Sequence, residues 1–295
     1  MKKLAYSLIT IAILAACNTS SSNAPAADTT AKTTTDTTNT TDPAKDWKLG
    51  VQLWTFSKFD FVTAIAKVDS SGVKFIEAYS HQPLGGGMKG DFGPDMTPEE
   101  KATVKKLLQD KGITLVAMGV IVPKDLAEWK KYFDFGKEFG LSYFTAEPIK
   151  TQWGGVDSLA GLYGIKVAIH DHPRPNAYWH PDSVLAAIAG HPNIGSCADI
   201  GHWERNGLDP VECLKKLEGH VFGVHLKDIV QFDNTKAADT VVGSGVVKWG
   251  PVFQELKRQH FKGMLSIEHE SNWYHSVPDV IQTVKFYNDQ VAALK

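Results

Sequence analysis

Val167-Ala168-Ile169-His170-Asp171-His172-Pro173 and Cys197-Ala198-Asp199-Ile200-Gly201-His202 are short apolar runs that each end in a cluster of ionisable groups. Two more follow: Val221-Phe222-Gly223-Val224-His225-Leu226-Lys227-Asp228 and Met264-Leu265-Ser266-Ile267-Glu268-His269-Glu270. A brief apolar run bounded by polar residues reads as a strand buried on both faces. Here the polar residues stand at the C-terminal end, which in a parallel α/β barrel is the active-site face. A single strand-end carboxylate or histidine commonly caps a helix or pairs with a neighbour. Four in succession instead bring imidazole and carboxylate donors to one place, as a divalent metal requires.

Working outward, short β-like runs alternate with longer segments of helical period. Leu49–Trp54 reads as a first strand, followed by a helix over Phe59–Ser70 with Phe61, Ile65 and Val68 on one face and a stop at Gly72. Val73–Tyr79 is a second strand, and Gly85-Gly86-Gly87 after it reads as a mobile loop over an active site. A helix over Pro98–Lys111, a strand over Ile113–Val120, a helix over Lys124–Phe139 and a strand over Ser142–Glu147 continue the alternation. A weaker helix opened by Gly154-Gly155 ends at Gly164, and the four quoted runs supply strands five to eight. Between and after them Pro181–Ile188, Pro210–Leu217, Trp249–Gln259 and Pro278–Ala293 read as helices. Eight strand–helix units predict a (β/α)8 TIM barrel over residues 47–295. A doubly wound open sheet is the alternative, but no Gly-x-Gly-x-x-Gly turn follows the first strand. Gly85-Gly86-Gly87 also lacks the Gly-Lys-Ser/Thr ending of a phosphate loop.

The chain of 295 residues has a formal net charge of −2 and no Lys/Arg run, which argues against a nucleic-acid partner. Lys2 and Lys3 precede an apolar stretch from Leu4 to Ala16 that is too short to span a bilayer and reads as a signal peptide, residues 1–16. Its ending, Leu14-Ala15-Ala16-Cys17, resembles the bacterial lipobox, which implies cleavage before Cys17 and acylation of that cysteine. Residues 17–46 are then an acylated cysteine and a flexible Thr/Ser/Ala-rich linker with no large apolar side chain before Trp47. The expected location is the cell envelope, with membrane contact through the lipid anchor only; Asn18 after the cysteine favours the outer membrane. Cys197 falls in a core strand and Cys213 in a helix, so both are expected as buried free thiols.

The segments Gly50-Val51-Gln52-Leu53, Phe75-Ile76-Glu77, Ala146-Glu147-Pro148, Ala198-Asp199-Ile200-Gly201-His202, His225-Leu226-Lys227-Asp228 and Ile267-Glu268 resemble the xylose isomerase-like barrel superfamily, often labelled sugar phosphate isomerase/epimerase. That resemblance implies one divalent cation held by a Glu, an Asp, a His and a Glu from strands five to eight, and mixed oxygen and nitrogen donors suit Mn, Co, Mg or Zn. Carried onto this chain, the last three are Asp199, His225 and Glu268. The fifth-strand position is His170, and Glu147 at the fourth-strand tip could restore the absent carboxylate. Ketose epimerases of the superfamily trade a proton between two ligand carboxylates; without the fifth-strand Glu, a one-sided elimination gains ground. The related apurinic-site nucleases, with three zinc ions, fit poorly because extra histidines are missing from the second and third strands.

The chemistry this implies is abstraction of a proton next to a sugar carbonyl. Glu268 is expected as ligand and base, with His172 or Glu147 as alternative bases and His202 as a neighbour of the metal or substrate. Lys227 would stabilise an oxyanion or else pair with Asp228 or with a neighbouring strand end. Glu77 is either a sugar contact or a buried structural carboxylate, and Glu270 could also face the pocket. Trp54, Phe56, Tyr79, Trp153, Trp179, Trp203, Trp249 and Trp273 near strand ends either stack on sugar or plug the barrel; Trp54 and Trp203 are the expected substrate contacts. With no gathering of Lys or Arg for a phosphate, the expected small-molecule partner is an unphosphorylated sugar or glycoside. The expected activity is that of a metal-dependent isomerase or epimerase. The alternatives are a lyase that opens 3-keto-glycosides by β-elimination and a non-catalytic sugar-binding surface lipoprotein.

Overall fold

A computed structural model of the protein describes residues 43–294. The expected signal peptide, the lipidation at Cys17 and residues 18–42 of the linker lie outside the described residues. Packing has begun by Ala44, and Trp47 is buried with its indole N–H donating to the Phe261 carbonyl at 2.9 Å.

Eight strands follow: β1 Lys48–Gln52, β2 Phe75–Ala78, β3 Thr114–Ile121, β4 Tyr143–Ala146, β5 Lys166–His170, β6 Ile194–Asp199, β7 Val221–Leu226 and β8 Met264–Ile267. Each pairs in parallel with its sequence neighbours, and β8 pairs with β1 to close the barrel. The fold is the (β/α)8 barrel that the alternation predicts. The helices are α1 Phe61–Ser70, α2 Pro98–Lys111, α3 Leu126–Phe139, α4 Trp153–Tyr163, α5 Pro181–Ile188, α6 Ile200–Arg205, α7 Pro210–Lys216, α8 Trp249–Arg258 and α9 Val277–Ala293. Their starts follow local chemistry. Asp60 caps α1, and α2 opens with a Thr97/Glu100 capping box and Pro98 in its first turn. Gly140 ends α3 in the left-handed conformation, φ 73°, where a Cβ would be strained.

The period of two along each strand sorts the side chains. Val51, Ile76, Phe144, Val167, Ile169, Val224, Leu265 and Ile267 join the main core beneath the helices. Tyr143, Ala168, Cys197 and Met264 form a separate cluster with Phe75 inside the barrel. Large residues there fit against glycines: a Cβ on Gly223 would come within 2.5 Å of the Tyr143 hydroxyl. Moving two residues at a time toward the strand ends, the same inward rows turn polar. They carry Glu77 after Phe75, Thr145 after Tyr143, His170 after Ala168, Asp199 after Cys197, His225 after Gly223, and Ser266 and Glu268 after Met264. The apolar lumen thus becomes a polar mouth within one pleat.

Two expectations change. Gly85-Gly86-Gly87 is not an open loop but the turn of a two-stranded hairpin, Pro83–Gly85 against Met88–Asp91. Gly86 and Gly87, with φ 58° and 87°, supply the positive φ pair that a tight hairpin turn favours. The helix α6, directly after β6, was not foreseen from the sequence, because six residues are too few to display a period. Cys197 and Cys213 are both free and buried.

Candidate metal centre

His170 ends β5, Asp199 ends β6, His225 is the penultimate residue of β7, and Glu268 follows β8. His170 Nε2 lies 3.5 Å from Asp199 Oδ2, and His225 Nδ1 lies 3.7 Å from that oxygen and 2.9 Å from Glu268 Oε2. One donor atom from each of the four residues falls within 4.8 Å of the other three, and all four residues are buried. His170 Nε2, Asp199 Oδ2, His225 Nδ1 and Glu268 Oε2 have no hydrogen-bond partner, although each is buried. A buried polar atom left unsatisfied costs about 1–3 kcal/mol. Four such atoms facing one another fit a divalent cation, and their two nitrogens and two oxygens suit Zn, Mn or Co.

The neighbours of these atoms fix their directions. His225 presents Nδ1 to the centre because Nε2 is hydrogen-bonded to Glu77 Oε2 at 3.0 Å, an oxygen that also accepts from the Ser266 hydroxyl at 2.8 Å. Asp199 divides its carboxylate: Oδ1 accepts from His202 N at 2.9 Å as the N-cap of α6, which leaves Oδ2 for the centre. Asp171 Oδ1 accepts from the Asp199 backbone at 2.8 Å and anchors the end of β6.

Lys227 is fully buried beside the four donors. Its ammonium stands 3.5 Å from Asp199 Oδ2, 3.2 Å from Glu268 Oε2 and 2.5 Å from Glu270 Oε1. Burial opposes its charge, but those three carboxylates carry its pKa well above the ordinary lysine value, so it is an ammonium and not a base. Burial likewise opposes ionisation of Glu268, yet Lys227 and His225 bring it down to about 2. Burial would lower the His170 imidazole, while Asp199 and Glu147 raise it to about 9. The His202 imidazole is held neutral by burial, well below its usual pKa, and its Nδ1 faces the Arg205 guanidinium at 3.0 Å.

On the opposite wall Glu147 is in direct contact with His172 Nδ1. Its other oxygen accepts from the Asn176 amide at 2.8 Å, and it stays 3.9 Å from His170 Nδ1. Burial opposes its ionisation, but the two imidazoles hold it far below the carboxylate range. Glu147 is therefore engaged with His172 and stands outside the four-donor cluster. The mouth is a cavity of about 580 Å³ lined by Gln52, Trp54, Tyr79, Gly119, His172, His202, Arg205, Glu268 and Glu270, among others.

The sequence-predicted residues thus divide. Asp199, His225, Glu268 and His170 converge, with Lys227 against them. His172, His202 and Trp54 line the cavity. Two expectations are corrected. Glu77 cannot touch substrate, because it is fully buried beneath His225, where it orients the ring. Trp203 is fully buried in the main core and is absent from the cavity wall. Of the pairings open to Lys227, the structure shows those with neighbouring strand ends, Asp199, Glu268 and Glu270, while the Asp228 carboxylate accepts from the backbone of Gly243, Gly245 and Val247. Phe56 and Trp249 plug the core, leaving Trp54 and Tyr79, with ring centres 4.9 Å apart, as the aromatic wall. Sequence reasoning passed over Arg205 and gave Glu270 too little weight. Glu270 follows Glu268 by two and so shares its inward face, and Arg205 follows His202 by three on α6.

A family model described as a xylose isomerase-like TIM barrel matches residues 65–290. An inosose dehydratase of Clostridium botulinum (strain Alaska E43 / Type E3) is 28% identical over 151 residues, 45% of this chain and 51% of the relative. The chain spans about half the length of the curated relatives it matches. A crystal structure of an uncharacterised protein from Parabacteroides distasonis ATCC 8503 is 33% identical, covers 83% of this chain and 99% of its own, and superposes with a TM-score of 0.68. The IOLI protein, crystallised with a bound zinc atom, has the same fold at 18% identity, covering 84% of this chain and 99% of its own with a TM-score of 0.68. Since the family match runs from within the first barrel helix to within the last, this chain belongs to the xylose isomerase-like TIM barrel family.

Proposed function

We propose that this protein is a divalent-metal-dependent enzyme that removes a proton next to the ketone of an unphosphorylated sugar or cyclic polyol and completes the reaction by β-elimination. The observation that carries the reading is the asymmetry of the site. Glu268 is a carboxylate on one side, but its counterpart on β5 is an imidazole, His170, with the Glu147–His172 pair next to it. A symmetric exchange of the proton between Glu268 and a carboxylate at the end of β5 has no such carboxylate here, since Asp199 stands on β6, whereas a one-sided removal needs only one base.

His172 suits that role. It lines the cavity, and a ring whose Nδ1–H donates to the Glu147 carboxylate would offer Nε2 as the acceptor. A divalent ion among His170, Asp199, His225 and Glu268 would supply Lewis-acid stabilisation of the developing enolate. The imidazole takes the proton from the carbon beside the ketone, and the carbon–oxygen bond one position further breaks as the double bond forms. The imidazolium then returns that proton to the departing oxygen on the same face, releasing water or an alcohol. Lys227, held as an ammonium, offsets the negative charge of Asp199, Glu268 and Glu270. Trp54, whose indole N–H donates to Glu270 Oε2 at 3.2 Å, offers an apolar wall to a ring. Arg205, the guanidinium in the cavity wall, is already engaged with Asp239 and the Ala237 carbonyl, which leaves it unsuited to a phosphate.

The inosose dehydratase likeness supports elimination from a cyclic ketone. The lipobox-like Leu14-Ala15-Ala16-Cys17 supports action at the envelope, where an unphosphorylated glycoside is the accessible substrate. The test is incubation of the protein with Mn²⁺ and a 3-keto-glucoside or a keto-inositol in D₂O, followed by proton NMR. Loss of the α-proton together with release of the aglycone or water is the expected result. Exchange without release would replace elimination by epimerisation. Equal behaviour of wild type and Glu268→Ala would reject the enzyme reading. His172→Gln should lower turnover by on the order of 10²–10⁴ while metal content stays unchanged.

A further inference from the structure

A second cavity, of about 490 Å³, opens between α6, α7, the chain between β7 and α8, and the start of α8. Its apolar wall includes Pro210, Val211, Phe232, Val246 and Val252. Glu204 of α6 also lines it, only 7% exposed, and its carboxyl makes no hydrogen bond or ion pair among the described residues. His202 and Glu204, two residues apart on a helix, point to different sides, so the second cavity is separate from the metal centre.

We propose that this cavity is a binding site for a small organic ammonium carrying an apolar body, with Glu204 as the carboxylate that receives the ammonium. A buried carboxyl is costly unless paired, and Glu204, unlike the two other carboxylates of this cavity, has no donor among the described residues. Two further carboxylates, Asp209 and Glu212, stand at the wall against a single lysine, Lys248, so the charge of the site favours a cation. Asp209 is already the cap of α7, accepting from Val211 N at 2.8 Å and Glu212 N at 3.3 Å, and Glu212 pairs with Lys215 at 2.8 Å. That leaves Glu204 as the available partner. Burial, with Asp209 and Asp228 nearby, pushes its pKa up to about 7, so it ionises fully above neutrality and gains most from a cationic ligand there. The apolar wall accounts for the rest of the ligand, since a bare metal ion or a free ammonium would leave it uncovered.

The experiment is calorimetric titration of the full chain with benzylammonium chloride at pH 8, with benzyl alcohol as the neutral comparison. Glu204→Gln keeps the shape and removes the charge; Val211→Trp fills the cavity from a partly exposed position. Saturable binding of benzylammonium is expected, with benzyl alcohol about tenfold weaker or worse, the same loss in Glu204→Gln, and no binding in Val211→Trp. Absence of saturable binding in the millimolar range overturns the proposal. So does binding that is equal for the alcohol or undiminished in Glu204→Gln. Thermal melts establish that both variants fold, and if Val211→Trp does not, the comparison of Glu204→Gln with wild type decides alone.

Discussion

Glu77 has no access to the cavity, yet it sets which nitrogen of His225 faces the centre. A carboxylate behind a ligating histidine fixes its tautomer and ring direction, and losing such a partner typically costs 10–100-fold in metal affinity. Glu77→Ala should therefore weaken metal binding by about that factor, measured by competition with a chelator. Glu77→Gln should cost less, because the amide oxygen still accepts from Nε2. His170 makes a second test at this scale. Near neutral pH its imidazole, with a pKa of about 9, carries a proton that must leave before Nε2 can bind an ion. Metal binding should release protons and tighten as pH rises toward about 9, weakening as pH falls. Calorimetry in two buffers of different ionisation heat measures that release directly, and none at pH 7 would remove His170 from the ligand set.

At the scale of elements, stability and chemistry separate cleanly. The Thr97/Glu100 box lies at the start of α2, and Thr97 accepts from Glu100 N at 3.2 Å. Thr97→Ala should cost about 1 kcal/mol, seen as a lower Tm with turnover and metal content unchanged. The elements that the sequence made legible are those with strong local signals: Pro98 at the start of α2, the stop at Gly72 after α1, and the apolar runs of β5 to β8. Strand ends could be placed because each run changes from apolar to ionisable within two residues. Three glycines in a row resemble slack chain, and the hairpin around Gly86 shows only in the pairing of Pro83–Gly85 with Met88–Asp91. Asp199 reads in sequence as a strand tip alone, because a six-residue helix leaves no period to reveal its second task of starting α6.

For the whole molecule, the closed sheet leaves Cys197 in the lumen and Cys213 in the helical layer, both buried. Burial pushes the Cys197 thiol up to about 12, and Cys213 is also raised. Iodoacetamide should leave both unlabelled in the native protein at pH 8, and their labelling rate in denaturant should follow global unfolding by mass spectrometry. Fast labelling of Cys197 without unfolding would mean that the barrel opens locally. The donors of the centre were legible because one period-two row per strand leads to one mouth. What the sequence withheld were relations across the barrel: Lys227 lying against three carboxylates from other strands, Glu147 turned toward His172, and Trp203 turned into the core. Each depends on which neighbour a side chain meets after closure, and linear spacing carries no record of that.

Asp199 holds the end of α6 with one oxygen and faces the centre with the other. An ion that drew on this carboxylate would also pull on the first turn of a short helix that carries His202, Glu204 and Arg205. Occupancy of the centre would then bear on a segment that lines both cavities, through Glu204 on one side and His202 and Arg205 on the other. Amide exchange across residues 200–206 would then report the state of the centre from the outside.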